Sequence, residues 1–113
     1  MNELPTVSII IPCRDENKYI GRCLDSIIES SYSKDRLKIL IADGMSQDGT
    51  REILDSYARL YPFITVLNNV NKIIPCALNL CIAHAQGDLV IRMDAHAAYE
   101  KDYVAKCVKF MHL

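Results

Sequence analysis

A parallel β-sheet with helices on both faces, an α/β fold, is predicted by three observations. Short β-branched runs alternate with longer stretches whose apolar residues recur at helical spacing. The alternation repeats as βαβαβαβα in units of roughly 25 to 35 residues, the size of a β-helix-β crossover. The strand runs are nearly continuous in apolar character, the pattern of strands buried on both faces. Such units form a parallel sheet with right-handed crossovers. The 113 residues suit one domain, 1–113, large enough to bury a core without disulfides or a structural metal.

Val7 to Ile11 is the first strand run, stopped by Pro12. After the polar stretch Cys13 to Lys18, residues Ile20, Cys23, Leu24, Ile27 and Ile28 form one helical stripe. Leu37 to Ala42 is the second strand, ended by Asp43-Gly44. Ser46, Asp48 and Thr50 are candidate N-caps for a helix striped by Ile53, Leu54, Tyr57, Ala58 and Tyr61, which Pro62 terminates. Phe63 to Leu67 is the third strand, followed by the turn-prone Asn68-Asn69. Pro75 suits the first position of a third helix, expected to bury Ala77, Leu78, Cys81, Ile82 and Ala85 and to stop at Gly87. Leu89 to Met93 is the fourth strand. A last helix, carrying Val104, Cys107, Val108 and Met111 on one face, is expected to reach the chain end.

Composition excludes several functions. Half of the residues are hydrophobic and 24% are charged, which is globular and not disordered. Thirteen basic residues against fourteen acidic leave a net charge of −1, which argues against nucleic-acid binding and against a polybasic membrane anchor. No apolar run approaches the roughly 20 residues of a membrane span. Met1 to Thr6 lacks a signal-peptide layout, so the expected location is cytoplasmic. The cysteines, Cys13, Cys23, Cys76, Cys81 and Cys107, are odd in number and contain no C-x-x-C pair. They read as reduced, mostly buried thiols, not as a zinc site or a disulfide framework.

In an open parallel sheet, ligands sit beyond the carboxyl ends of the strands. Here that edge collects Arg14, Asp15, Glu16 and Asn17 after the first strand, Asp43 after the second, Asn68 and Asn69 after the third, and Asp94 and His96 after the fourth. Asp94-Ala95-His96 is the sharpest feature, because residues i and i+2 leaving a strand can point the same way. A carboxylate with an imidazole suits Mn²⁺ or Mg²⁺, and two side chains alone would need phosphate oxygens to complete the shell. The plainer alternative is a strand-end aspartate capping a turn beside a surface histidine. With Asp43 and Glu16 on the same edge, the ligand-binding reading is favoured.

Asp43 can accept hydrogen bonds from a ligand, and Gly44 permits a close backbone turn. Asp48 and Thr50 read as helix caps. Arg14 can contact a base or phosphate, or remain an exposed loop residue. Arg92 is expected to pair with a carboxylate. Lys72 and Asn79 could reach the site edge, and Lys72 reads more simply as a solvated loop residue. His84 reads as a helix C-terminal dipole partner, and His112 as part of a fraying terminus. Cys13 lies near the edge without a histidine close in sequence to activate it. Neither G-x-G-x-x-G nor G-x-x-x-x-G-K-[ST] is present, so bound phosphates would be held by a metal and side chains.

V-S-I-I-I-P-C-R-D-E-N (7–17), I-A-D-G-M-S-Q-D-G-T (41–50) and A-L-N-L-C-I-A-H-A-Q-G-D-L-V-I-R-M-D-A-H-A (77–97) together resemble family 2 glycosyltransferases of the GT-A fold, a Rossmann-like arrangement. The D-A-H-A-x-Y version is similar to a subgroup acting in bacterial exopolysaccharide assembly, of the succinoglycan type. The resemblance implies that Pro12 and Glu16 shape the nucleotide pocket, that Asp43 binds the base, uracil, and that Asp94 sits by the diphosphate and its Mn²⁺ or Mg²⁺. His96 occupies the place of the usual second aspartate ligand, and Cys81 stands where a glycine is common.

Members of that family are longer, and their second half supplies the acceptor site and a carboxylate base. The chain is therefore expected to be the donor half of an inverting enzyme. It would bind a UDP-sugar, with a saccharide or lipid-linked acceptor, at the inner face of the membrane. The rival readings are a non-catalytic nucleotide-binding or assembly module and a nucleotidyltransferase. The latter would show a glycine- and basic-rich loop after the first strand, and Cys13 to Lys18 has no glycine. With the first strand central and the fourth beside it, Leu89 to Ile91 would form an unpaired edge, which predicts a homo-oligomer.

Overall fold

The computed structural model describes residues 4–111. The expectations for the first three residues and for His112 lie outside the described residues. The elements are β1 (Val7–Cys13), α1 (Ile20–Ile28), β2 (Leu37–Asp43), α2 (Thr50–Leu60), β3 (Ile64–Asn68), α3 (Ile74–His84), β4 (Leu89–Arg92) and α4 (Tyr103–Met111), with one 3-10 turn, Lys34–Arg36, leading into β2. The four strands pair in parallel in the order β3-β2-β1-β4. The α/β fold predicted from the alternation is the observed one. No helix among the described residues is long and apolar enough to cross a membrane.

Register places the strand tips. Cys13 lies opposite Asp43, and Asp43 opposite Asn68. The edge strand β4 ends at Arg92, opposite Ile10. This shortfall explains the first correction: β1 does not stop at Pro12 but continues through it to Cys13. The Ile10 carbonyl accepts the Met93 N–H on the β4 side. By the alternation of the strand, the nitrogen of Pro12 faces that same side, beyond the last residue of β4. A proline there interrupts no ladder bond within the strands.

The two faces of the sheet are covered unequally. Val7, Ile9, Ile11 and Cys13 of β1 and Ile39 and Ile41 of β2 pack with Ile20, Cys23, Leu24 and Ile27 of α1, Leu54 of α2, and Val104 and Val108 of α4. Ile10, Leu40 and Ala42 face the other way, onto Ala77 and Cys81 of α3 alone. Truncating Ile9 or Ile41, both fully buried, to alanine should cost about 2–5 kcal/mol. A single helix on the second face explains the second correction. Ile82 is exposed, and Leu78 and Ala85 are only partly buried, because among the described residues no second helix joins α3 in that cluster. Met111 of α4 is also exposed.

Gly87 is not the left-handed stop expected of it. α3 ends at Ala85 in an extended conformation. Gly87 is required by close approach instead: a Cβ there would lie 2.7 Å from the Ser8 nitrogen and 2.9 Å from Ser8 Oγ, which accepts the Gly87 N–H. Pro75 is the second residue of α3, one place later than expected.

Candidate functional site

The loop after β1 is laced to the loop after β2. Asp15 N–H donates to Ser46 Oγ at 2.8 Å, and Gln47 N–H donates back to Asp15 Oδ1 at 2.8 Å. Glu16 N–H donates to Thr50 Oγ1 at 2.8 Å, and Asn17 N–H to Asp48 Oδ2 at 3.2 Å. Asp48 Oδ1 also accepts the Thr50 N–H and hydroxyl. Ser46, Asp48 and Thr50 are not the N-cap expected of them: that place belongs to Gly49, which makes no side-chain cap bond, and the Asp48 and Thr50 side chains instead tie the start of α2 to the loop after β1. Among the described residues three non-glycine residues have left-handed backbones, Asp15, Met45 and Lys72, one in each loop after β1, β2 and β3. Backbone strain of this kind collects at functional edges. Met45, not Gly44, makes the left-handed turn. Gly44 instead admits close neighbours, since a Cβ there would meet Arg14 and the Lys72 carbonyl at 3.3 Å.

Asp43 is buried, with 1% of its surface exposed. Its Oδ1 accepts the Ser46 hydroxyl at 2.5 Å, and its Oδ2 lies 3.7 Å from Arg51 Nη1. Arg51 also donates to Asn68 Oδ1 and, at 3.0 Å, to Asp55 Oδ1. The Asp43 backbone carbonyl accepts the N–H of Asn69, which is buried and whose side chain donates to the Ile73 carbonyl.

Asp94 is the opposite case, with its side chain 69% exposed. Its N–H donates to the Tyr99 hydroxyl at 2.7 Å, and its carbonyl accepts the Cys23 thiol at 3.4 Å. Its Oδ1 accepts the His96 N–H at 2.9 Å. That backbone bond is the chief cause holding the Asp94 carboxyl below the usual carboxylate range. His96 Nδ1 lies 3.2 Å from Asp94 Oδ1 and 2.8 Å from Glu16 Oε2. The Tyr19 ring rests beside the imidazole at 5.0 Å. Burial raises the Glu16 carboxyl above its ordinary range; His96 opposes this, and the charge of Asp94 adds to it.

Between these features runs a cleft of about 130 Å³ lined by Pro12, Arg14, Glu16, Asn69, Lys72 and the Ile73-Ile74 pair. It is smaller than the roughly 300–1,000 Å³ of enclosed ligand pockets, so a nucleotide would rest on an open edge. Of the predicted residues, Pro12, Arg14 and Glu16 line this cleft, Asp94 and His96 stand at its Glu16 side, and Asp43 lies beneath the surface. Arg14 is half exposed and lies 3.9 Å from Asp15. Lys72, read as a loop residue, lines the cleft, whereas Asn79 borders a different hollow beside Asn71 and Cys76. His84 bonds to the Leu80 carbonyl of its own helix.

All five cysteines are free. Burial raises the Cys13 thiol far above its ordinary range and pushes Cys23 up to about 12, so neither is a thiolate. Asn69, Arg51 and Tyr99 were not assigned roles from sequence. Asn69 had a signal as a turn residue at the third strand tip and the tyrosine as the last residue of D-A-H-A-x-Y, whereas Arg51 had none.

No group of three or more His, Cys, Asp or Glu side chains among the described residues is arranged to hold a metal ion. Asp94 and His96 supply one carboxylate and one imidazole. That pair fits a divalent cation only when oxygens of a bound ligand complete the shell.

The sequence profile described as "Glycosyl transferase family 2" matches residues 8–112. The succinoglycan biosynthesis protein ExoA of Rhizobium meliloti is 36% identical over 112 residues, 96% of this chain and 34% of that protein. The probable glycosyltransferase YdaM of Bacillus subtilis is 34% identical over 105 residues, 89% of this chain and 25% of that protein. Among solved structures, the mannosyltransferase PcManGT of Pyrobaculum calidifontis, in complex with GDP-Man and Mn²⁺, superposes with a TM-score of 0.90 at 31% identity, covering 96% of this chain and 33% of that one. S. aureus TarS 1-349 has the same fold, with a TM-score of 0.85 at 22% identity, covering 95% of this chain and 32% of that one. The chain thus spans about a third or less of the length of these relatives. The match over 8–112, on the GT-A sheet whose strand tips carry the predicted motifs, makes this chain a member of glycosyl transferase family 2.

Proposed function

We propose that this chain binds the nucleotide-diphosphate part of a sugar donor, a UDP-sugar, for transfer to a saccharide or lipid-linked acceptor in bacterial polysaccharide synthesis. The observation that carries this is the single sheet edge where the Arg14–Lys72 cleft meets the exposed Asp94–His96 pair. The arginine and lysine suit phosphate or base contacts, and the pair suits a cation shared with a diphosphate. Structural neighbours of known ligand support a nucleotide-sugar donor, since PcManGT was solved with GDP-Man and Mn²⁺ and the fold neighbour TarS with UDP-GlcNAc, while the choice of uracil rests on the sequence resemblance.

In this reading Pro12 and Glu16 shape the pocket wall, and Arg14 and Lys72 hold negative charge. Asp43 receives a base N–H once the Ser46 hydroxyl turns aside. Asp94 and His96 would hold Mn²⁺ or Mg²⁺, which supplies charge stabilisation to the leaving diphosphate. Transfer is inverting: an acceptor hydroxyl loses its proton to a carboxylate base and attacks the anomeric carbon, while the bond from that carbon to the diphosphate oxygen breaks. The resemblance assigns that base to a part of the family outside the motifs of this chain.

Calorimetric titration with UDP, with and without Mn²⁺, tests the reading. Binding should be weak, and tighter with Mn²⁺; Asp94→Ala should remove the metal-dependent gain. Equal affinity with and without Mn²⁺ in the native chain would overturn the cation role. β4 is an edge strand with Val90 exposed, so copies of the chain should also pair across it. A clean monomer by light scattering at high concentration would remove that part.

A further inference from the structure

We propose that Tyr99 is a positioning residue: its hydroxyl holds the Asp94 main chain, so that the Asp94 carboxylate meets a diphosphate-bound cation from a backbone already fixed. The proposal rests on the reading of Asp94 given above and asks nothing of the His96 ring. β1 grips this segment up to Met93, whose N–H donates to the Ile10 carbonyl at 3.0 Å. β4 itself ends at Arg92 and is an edge strand, so Asp94 stands beyond the ladder. Side chains take over there. The Asp94 N–H donates to the Tyr99 hydroxyl at 2.7 Å, and the Asp94 carbonyl accepts the Cys23 thiol at 3.4 Å. The same carbonyl accepts the Ala97 N–H at 3.2 Å, in the turn that brings Tyr99 alongside. Both main-chain groups of Asp94 are thus bound, while its carboxylate is largely open to solvent.

Tyr99 can act as a strut because it is itself held. Its N–H donates to Ser26 Oγ on α1 at 2.9 Å. The Ser26 hydroxyl donates its own proton to the Cys23 carbonyl at 2.6 Å, so its oxygen meets Tyr99 as an acceptor. The Tyr99 ring is partly buried against the core, 4.9 Å from the Tyr103 ring of α4. One side chain therefore ties the open strand tip to two helices, where an interior strand would use a sheet neighbour. The consequence for binding is entropic. A carboxylate on a loose loop must be ordered when it takes a ligand, and that ordering subtracts from affinity. A backbone fixed beforehand lessens the loss. Tyr99→Phe isolates the effect, because phenylalanine fills the same space and offers the Asp94 N–H no lone pair.

The test compares the native chain with Tyr99→Phe by two readouts. The first is hydrogen exchange of the Asp94 amide in the ¹⁵N-labelled chain, without metal or nucleotide. In the native chain this amide should be protected although its side chain is exposed, and in Tyr99→Phe it should exchange faster by on the order of tenfold. The second is calorimetric titration with UDP. The factor by which Mn²⁺ tightens binding should fall by about tenfold or more in Tyr99→Phe, the usual loss of an outer partner of a metal ligand. A role confined to stability would weaken UDP equally with and without Mn²⁺. An unchanged factor therefore overturns the proposal, and so does a native Asp94 amide that exchanges at the unstructured rate. Ser26→Ala, which releases only the far end of the strut, should lower the factor in the same direction by less. It serves as the second variant if amide dispersion shows that Tyr99→Phe does not fold, and an unchanged factor there overturns the proposal equally. If the native chain shows no Mn²⁺ gain, or Asp94→Ala keeps it, the cation reading fails and the role assigned to Tyr99 falls with it. A protected Asp94 amide then marks the strut as present and the cation reading as the part that failed.

Discussion

Asp43 and Asp94 both sit at the tips of parallel strands, yet one is 1% exposed and the other has its side chain 69% exposed. Sheet position explains the difference. β2 is interior, and its tip is flanked in register by Cys13 and Asn68. The loops on either side close over Asp43, and Ser46 and Arg51 occupy its oxygens. β4 is at the edge and ends level with Ile10, three residues short of the β1 tip, so Asp94 has open space around it. An interior strand tip is thus closed over by its neighbours, and an edge strand tip is left open.

The largest effect expected from this contrast is on stability. Asp43→Ala would leave the Ser46 hydroxyl without its acceptor and remove the buried charge beside Arg51, which keeps Asn68 and Asp55, and should cost about 2–3 kcal/mol in a urea titration. An unchanged midpoint would mean that the closed tip is not structural. A smaller effect is expected at Tyr57, which ties α2 to α1 by donating its one hydroxyl proton to Asp25 Oδ1 at 2.6 Å, with the Gly21 carbonyl 3.2 Å from the same oxygen. Tyr57→Phe should cost about 1 kcal/mol near neutral pH.

Burial, then the hydrogen bond to and charge of Asp25, push the Tyr57 hydroxyl up to about 12. A folded value above the unfolded value of about 10 contributes stability that is complete below pH ~10 and is lost as pH rises toward 12. The gap between native chain and variant should therefore narrow over that window; a constant gap would show that the bond does not shift the hydroxyl. The smallest stability effect is expected for Asp94→Ala. Removing an exposed carboxylate should stay within about 0.5 kcal/mol, while it should abolish the proposed metal-dependent gain in nucleotide affinity. A loss as large as that of Asp43→Ala would erase the contrast.

Much of the fold was legible in the sequence, because buried β-branched runs and helical stripes are local patterns. Leu37 to Asp43 and Ile20 to Ile28 appear almost where the periodicity put them. Pro12 was misread because its tolerance depends on where the neighbouring strand ends, which is a property of register and not of local sequence. Gly87 was misread because a close approach to Ser8, far away in the chain, looks like a helix stop from one side only.

The candidate site was legible as an edge and not as contacts. Arg14, Glu16, Asp94 and His96 could be gathered by topology. That Ser46 and Arg51 would enclose Asp43, or that Glu16 would reach the inner nitrogen of His96, depends on loop geometry that no spacing encodes.

The central claim is that a nucleotide diphosphate binds at the carboxyl edge of the sheet. It is tested most directly by mapping amide chemical-shift changes as UDP and Mg²⁺ are added to the ¹⁵N-labelled chain. The changes should concentrate at Arg14, Glu16, Gly44, Asn69, Lys72, Asp94 and His96, with those at Asp94 and His96 growing when the cation is present. Changes confined to the opposite edge, around the hollow lined by Thr6, Lys38 and Gly87, would contradict it.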